Sequence, residues 1–123
     1  MQFTESHAIY LQITKVMEEK ILAKEWLVEM RTLSVRELAA SMKVNPNTAI
    51  KAYEILQQKK VIYNKRGIGY FVSENAYSLV KKEWRQNFKT QELPQFFKNI
   101  ALLGFSMNEI EVLYKQHQEK IQH

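Results

Sequence analysis

The first pattern in the chain is a stripe of apolar residues spaced three or four positions apart. It consists of Ile9, Ile13, Val16, Met17 and Ile21. This spacing predicts an amphipathic helix over residues 7–24. The Trp-Leu-Val run at 26–28 is too short and too rich in β-prone residues to continue that helix, so we expect a brief strand or an extended link there.

A second, shorter helix is indicated by the residues that begin it. Ser34 and Glu37 have the spacing of a capping box, in which the serine oxygen accepts a backbone N–H and the glutamate reaches back to the serine N–H. The residues that follow form an apolar face of Val35, Leu38, Ala39 and Met42. We therefore expect a short helix that begins directly after Ser34.

A third helix follows after a turn at residues 43–44. Asn45 is suited to the N-cap and Pro46 to the first helical position. The predicted helix runs to about Lys59 and buries Ala49, Ala52, Tyr53 and Leu56.

Two β-prone triplets come next, at residues 61–63 and 70–72. They flank the sequence NKRGIG, which contains two glycines and two cations and therefore predicts a hairpin with a basic tip. Two helices close in sequence, followed by such a hairpin, predict a winged helix-turn-helix within a mainly α (α+β) chain.

The remaining 50 residues show helical spacing again. One face combines Tyr77, Val80, Trp84 and Phe88, and a second, after Pro94, combines Phe96, Phe97, Ile100 and Leu103. Gly104 ends that helix, and a second capping box, from Ser106 to Glu109, opens another that carries Met107, Ile110, Leu113 and Tyr114. So short a segment forms a marginal core alone, and we expect its faces to pack on the first domain or on a second copy of the chain.

This pattern divides the chain into residues 1–73, a winged helix-turn-helix domain, and residues 74–123, a short helical tail. Composition adds that cysteine is absent, which excludes disulfides and thiolate zinc sites and fits a reducing cytoplasm. No apolar run approaches membrane-spanning length, and the polar N-terminus MQFTESH argues against a secretory signal.

Charge singles out one part of the chain. The net charge is +5, and all 13 acidic residues are Glu. Residues 31–73 contain eight basic and two acidic residues, a balance of +6, so the rest of the chain is near −1. Such a block is typical of a polyanion-binding surface, although charge alone fits a solvated lysine face equally well.

The predicted third helix begins with short polar side chains that can reach DNA. In a helix-turn-helix the second helix enters the major groove with its N-terminal residues towards the bases. Asn47, Thr48 and Lys51 would then meet phosphates or base edges. Asn45 has the same opportunity, but capping alone explains it more simply.

Four other cations lie where a winged helix meets DNA. Arg31 and Arg36, at the start of the first helix of the motif, are expected to contact phosphates, although an exposed arginine is often only solvated. Lys65 and Arg66, at the hairpin tip, can enter the minor groove. Gly67 is interpreted first as a turn residue.

Catalysis and metal binding find little support. His7, His117 and His123 lack the spacing of ligands on one face, and no nucleophile, base and orienting group are brought together by sequence. We therefore expect no enzyme activity, no cofactor and no bound metal.

Three stretches resemble the GntR superfamily of bacterial transcription regulators. They are IYLQI at 9–13, SVRELAASMKVNPNTAIKAYEIL at 34–56 and IYNKRGIGYFV at 62–72. The tail, with LPQFF and LGFSMNEI, resembles the YtrA-type branch, which lacks a large effector-binding domain. The resemblance implies a homodimeric repressor on a two-fold operator. It carries the family's DNA contacts onto Arg31, Ser34, Arg36, Thr48 and Gly67.

The chain departs from the family pattern at several positions. Residues 27–30 replace a Pro-Gly turn, and Thr32-Leu33 replaces Leu-Pro, which affects where Arg31 lies. Pro46 and Ile50 stand where many members carry arginine, so base recognition is expected to depend more on Asn47, Thr48 and Lys51.

Together these observations predict a cytoplasmic, dimeric regulator of double-stranded DNA, with no membrane contact and with any small-molecule effector left open. A winged-helix module that docks an acidic protein is the alternative. The resemblance implies that the tail helices pair the protomers, through Tyr77, Val80, Trp84, Phe88, Phe96, Phe97, Ile100, Ile110, Leu113 and Tyr114.

Overall fold

The computed structural model describes residues 5–121, and side chains from residue 9 onwards. The N-terminal residues 1–4, the His7 side chain and His123 lie outside this description. The chain divides into two compact units, one ending at Glu83 and one beginning at Trp84. The helices are α1 (Glu5–Leu22), α2 (Val35–Met42), α3 (Pro46–Gln58), α4 (Ala76–Asn87), a π-helical segment (Phe88–Glu92), α5 (Leu93–Leu103) and α6 (Met107–Ile121). The strands are β1 (Ile62–Lys65) and β2 (Gly69–Val72).

The first unit is a winged helix-turn-helix, as predicted. Helix α3 packs against α1, α2 and β1, and the two strands pair antiparallel. Its core joins apolar residues from every element, namely Ile13, Met17, Ile21, Leu38, Ala49, Ala52, Tyr53, Leu56, Ile62, Val72 and Val80. The buried apolar residues of α1 and α3 are among those that the helical spacing selected.

Capping residues set the start of α2 and α3. Ser34 accepts the Glu37 N–H at 3.1 Å while Glu37 accepts the Ser34 N–H at 3.0 Å, which confirms the capping box. The turn between the helices is closed by Lys43, whose φ is 56°, and by the Val44 N–H, which donates to the Ala39 carbonyl at 2.9 Å. These local bonds place α3 directly after α2.

The strand or extended link predicted at residues 26–28 is displaced along the chain. Those residues form bends and turns, and Trp26 is buried. Backbone hydrogen bonding to β2 begins instead at Glu29, whose N–H donates to the Val72 carbonyl at 2.8 Å, and it continues at Thr32, whose N–H donates to the Tyr70 carbonyl at 2.9 Å. The link thus adds a short third line of hydrogen bonds along the outer edge of β2.

An ion cluster ties three helices of the first unit together. The Lys59 ammonium lies 2.7 Å from a Glu83 carboxylate oxygen and 3.5 Å from an oxygen of the buried Glu18. Burial lowers the pKa of Lys59, but the hydrogen bond to Glu83 and the two negative charges outweigh that effect and raise the pKa overall. The charge of Lys59 is therefore used in an ion cluster within the fold, and Lys59 no longer counts among the basic residues expected to bind a polyanion.

The second unit departs from the predicted series of separate short helices. Residues 76–103 are helical throughout, because the π-helical segment joins α4 directly to α5. Pro94 has no N–H to donate, and the Leu93 N–H donates to the Phe88 carbonyl five residues back. Gly104, with a φ of 76°, ends α5, and Ser106 and Glu109 form the predicted second capping box before α6.

No helix within residues 5–121 combines the length and the apolarity needed to cross a membrane.

Candidate nucleic-acid interface

The outer face of α3 is the centre of the candidate interface. Asn47, Ile50, Lys51 and Glu54 are exposed and share one side of the helix, since they are three or four residues apart. The opposite side is buried in the core. This face therefore projects away from the body of the first unit, as the second helix of a helix-turn-helix must do to enter a groove.

The first turn of α3 separates the predicted contact residues into two groups. The Asn45 side-chain oxygen accepts the Asn47 N–H at 2.8 Å, so Asn45 caps the helix. Thr48 is only 8% exposed, which leaves its hydroxyl at the edge of the core. Asn47 and Lys51 keep accessible side chains, and the Lys51 ammonium lies 6.0 Å from the centre of the Tyr10 ring. Asn47 and Lys51 are therefore the predicted contact residues that keep polar side chains accessible on this face, and Glu54 lies one turn further on.

Tyr53 holds α3 in place from its buried side. Its hydroxyl donates to the Leu33 carbonyl, and its ring meets the edge of Tyr70 at a centroid distance of 4.9 Å. Burial is the main reason that the pKa of Tyr53 rises to about 12, so the hydroxyl remains a donor at physiological pH. One side chain thus connects α3 to the segment before α2 and to the hairpin.

The start of α2 presents a second set of groups. Hydrogen bonds from Ser34, first from its backbone and then from its side chain, lower the pKa of Glu37, and the positive charge of Arg31 contributes to a smaller extent. Ser34 is half-buried and Arg36 is exposed.

Arg31 lies against the hairpin, an arrangement that the sequence did not reveal. Its backbone forms a β-bridge with Phe71, and its side chain crosses Gly69. A Cβ at Gly69 would stand 3.1 Å from the Arg31 Nε, and the φ of Gly69 is 137°. Glycine therefore suits this position, because its φ would strain another residue and an added Cβ would stand close to the Arg31 side chain. The two glycines of the loop predicted the hairpin, but not this contact with Arg31.

The hairpin tip carries the remaining predicted contacts. The Ile68 N–H donates to the Lys65 carbonyl at 2.9 Å, and Gly67 adopts a φ of 79° within that turn. The Lys65 ammonium lies 4.3 Å from the centre of the Phe71 ring, and Arg66 is exposed beside it. The tip thus places two cations on a narrow turn that suits insertion into a groove.

The residues predicted to pair protomers differ in accessibility. Val80 has no exposed surface and belongs to the core of the first unit. Tyr77, Trp84, Ile100 and Ile110 are half-buried. The others are exposed, namely Phe88, Phe96, Phe97, Leu113 and Tyr114.

Comparisons with known proteins agree with this geometry. The family model for bacterial regulatory proteins of the gntR family matches residues 9–72. The chain is 32% identical over 111 residues to the HTH-type transcriptional repressor YtrA of Bacillus subtilis, covering 90% of this chain and 85% of YtrA. It is 33% identical over 109 residues to YhcF, an uncharacterized HTH-type transcriptional regulator of the same organism, covering 89% and 88% of the two chains.

Solved structures show the same likeness. A crystal structure from Bacteroides thetaiotaomicron, described as a GntR-family regulator, superposes with a TM-score of 0.70 at 40% identity. The match covers 91% of this chain and 97% of that one, so it extends beyond the winged helix into the tail.

Proposed function

The chain belongs to the gntR family of bacterial regulatory proteins and is a DNA-binding transcriptional regulator, and we propose that it acts as a homodimeric repressor on a two-fold-symmetric operator. The observation that carries this proposal is the outer face of α3, which stands clear of the core and carries the accessible side chains of Asn47 and Lys51. Repression fits the name of the relative YtrA. The protein would act in the cytoplasm, where the bacterial chromosome lies.

Contacts to the operator divide by chemistry. Asn47 and Lys51 would meet base edges in the major groove, where amides and ammonium groups find distinct donors and acceptors. Arg31, Ser34 and Arg36 would bind phosphates along one side of the groove. Lys65, Arg66 and Gly67 would approach the adjacent minor groove. Asn45 and Thr48 would support this surface, through the helix cap and through packing.

Pairing of two protomers would be the task of the tail, residues 74–123. Within the described part of this segment, neither α5 nor α6 has a buried residue, although both carry large apolar side chains. We assign the interface to Trp84, Phe88, Phe96, Phe97, Ile100, Ile110, Leu113 and Tyr114, with Tyr77 at its margin. Residues 1–73 would then serve as the DNA-binding domain.

Selection from a random pool of DNA duplexes tests this function directly. We expect the wild-type protein to enrich an inverted repeat whose half-sites lie about 34–36 Å apart, one helical turn, because a dimer presents two equivalent α3 faces. Arg36→Ala should bind the enriched duplex more weakly, whereas Arg85→Ala, an exposed arginine in α4, serves as the control.

A single asymmetric site would refute the two-fold arrangement. Failure to enrich any sequence, with the basic face binding acidic proteins instead, would refute the operator function altogether.

A further inference from the structure

The outer face of α3 contains one apolar residue that its proposed function leaves unused. Ile50 is 39% exposed, and it lies between the polar residues Asn47, Lys51 and Glu54. By contrast, apolar residues such as Ala49 and Leu56 of α3 are fully buried and point to the core. Ile50 therefore keeps accessible apolar surface on the face that would meet DNA.

An aliphatic side chain at this position has one matching group on DNA. The major-groove edges of the bases present hydrogen-bond donors and acceptors, and the thymine 5-methyl is the one apolar substituent among them. Ile50 has no hydrogen-bonding atoms and would leave a donor or acceptor opposite it unpaired. Contact with a methyl group instead removes apolar surface from water on both sides.

The conformation of Ile50 suits such a contact. A β-branched side chain in a helix populates essentially one χ1 rotamer, so Ile50 loses little freedom when it meets a base. Its neighbours on the same face cover the other base edges, since an amide pairs well with adenine, an ammonium with guanine and a carboxylate with the cytosine amino group.

We infer that Ile50 is a specificity-determining residue that recognises the 5-methyl group of a thymine in each half-site of the operator. This inference rests on the proposed function, because it requires α3 to enter the major groove. It adds that one position of each half-site is read through a methyl group and not through a hydrogen bond.

Replacing single thymines by uracil tests the inference, because uracil keeps the base pair and removes only the methyl group. The enriched duplex is prepared with uracil at each thymine position in turn, symmetrically in both half-sites, and its Kd is measured by fluorescence anisotropy. We expect one position at which wild-type binding weakens about fourfold per half-site, which corresponds to one lost methyl contact. Ile50→Ala should bind the thymine duplex more weakly and should not respond to uracil at that position.

Matched variants separate this role from a general one. Ile50→Val retains a methyl near the groove and should keep part of the response, whereas Leu79→Ala, at a side chain of α4 with the same 39% exposure, should keep all of it. Thermal unfolding of each variant by circular dichroism confirms that the fold is retained, as expected for an exposed side chain.

The outcomes distinguish this inference from the proposed function. If the wild type binds the operator specifically but no uracil position weakens it, or if Ile50→Ala responds as the wild type does, the inference is overturned and the operator function stands. If no duplex is preferred at all, the proposed function fails and the inference fails with it.

Discussion

At the scale of single residues, the hairpin tip shows how a flexible cation becomes part of a defined surface. The Lys65 ammonium lies 4.3 Å from the centre of the Phe71 ring and 5.9 Å from that of Tyr63, and these two rings stack across the strands. A cation over an aromatic face is attracted by the ring electrons. The side chain of Lys65 is therefore positioned near the tip, beside Arg66, in the protein without DNA.

Lys65→Ala combined with Arg66→Ala should weaken binding to operator and to random DNA by a similar factor. Cations that neutralise phosphates act without regard to sequence, and each removed contact lowers the slope of log Kd against log salt by about 1, so the pair should lower it by about 2. A titration over a range of KCl concentrations measures both effects.

Lys81→Ala with Lys82→Ala is the matched control, since it removes the same two charges from exposed positions in α4. We expect it to leave the salt slope close to that of the wild type. An equal change of slope in both double variants would show that net charge alone, and not the hairpin tip, governs binding.

Residues whose role depends on their immediate neighbours were predictable from the sequence. The starts of α2 and α3 were predicted from Ser34 with Glu37 and from Asn45 with Pro46, because capping involves only residues within three positions of each other. The contact of Arg31 with Gly69 joins residues far apart in the chain, and no local pattern carries it. The burial of Thr48 has no local signal for a similar reason, since it is set by packing of the whole first unit.

At the scale of elements, the position of α3 depends on contacts in its middle and directly after its C-terminal end. Tyr53 ties its middle to the Leu33 carbonyl, and Lys59, directly after its last residue, joins Glu18 of α1 to Glu83 of α4. A helix that reads DNA must be held rigidly, because small displacements of its side chains disturb several base contacts together.

Lys59→Met should lower the free energy of unfolding by about 2 kcal/mol, because it leaves the buried Glu18 without this cation; the partial exposure of Lys59 keeps the loss below that of a fully buried pair. Urea denaturation measures the loss. Lys60→Met, at the exposed neighbouring position, should change stability by less than about 0.5 kcal/mol. Equal losses in the two variants would contradict a structural role for the ion cluster.

The pH dependence of this contribution follows from the raised pKa of Lys59. The folded state binds the proton more tightly than the unfolded chain does, so the stabilisation is complete below the ordinary lysine pKa of about 10.5 and is lost as pH rises through the higher folded value. Lys59→Met should therefore differ most from the wild type near neutral pH and converge with it at strongly alkaline pH.

Elements that depend on distant pairing were less well predicted. The apolar run at 26–28 favoured extended structure, but Trp26 turns into the core, and hydrogen bonding to the edge of β2 begins only at Glu29. Pro94 was correctly placed near the start of α5. It does not separate two helices, because the π-helical segment accommodates the missing N–H and keeps the backbone helical.

At the scale of the whole molecule, the two units bury apolar side chains very differently. The first has a continuous core, whereas α5 and α6 contain no buried residue and expose several large apolar side chains, among them Phe97, Leu103 and Leu113. Apolar faces of this extent are costly in water and mark an interaction surface. A second copy of the chain supplies identical faces, which is the arrangement that a two-fold interface requires.

Phe97→Glu combined with Leu113→Glu should convert a dimer into a monomer at micromolar concentration, because it places charges of one sign where two apolar faces would meet. Analytical ultracentrifugation measures the change directly.

For the wild type, the unfolding midpoint should also rise with protein concentration, since association stabilises the folded chain by mass action. Gln95→Glu with Gln118→Glu adds the same charge at exposed polar positions of α5 and α6 and should leave the dimer intact.

The effect on DNA binding connects this surface to function. The double variant keeps every residue of the α3 face and of the hairpin tip, so each protomer should still bind a single half-site weakly, while affinity for the inverted repeat should approach that of one half-site. A wild-type chain that sediments as a monomer at micromolar concentration, or a double variant that binds the repeat as tightly as the wild type, would show that the apolar faces of α5 and α6 serve something other than pairing on the operator.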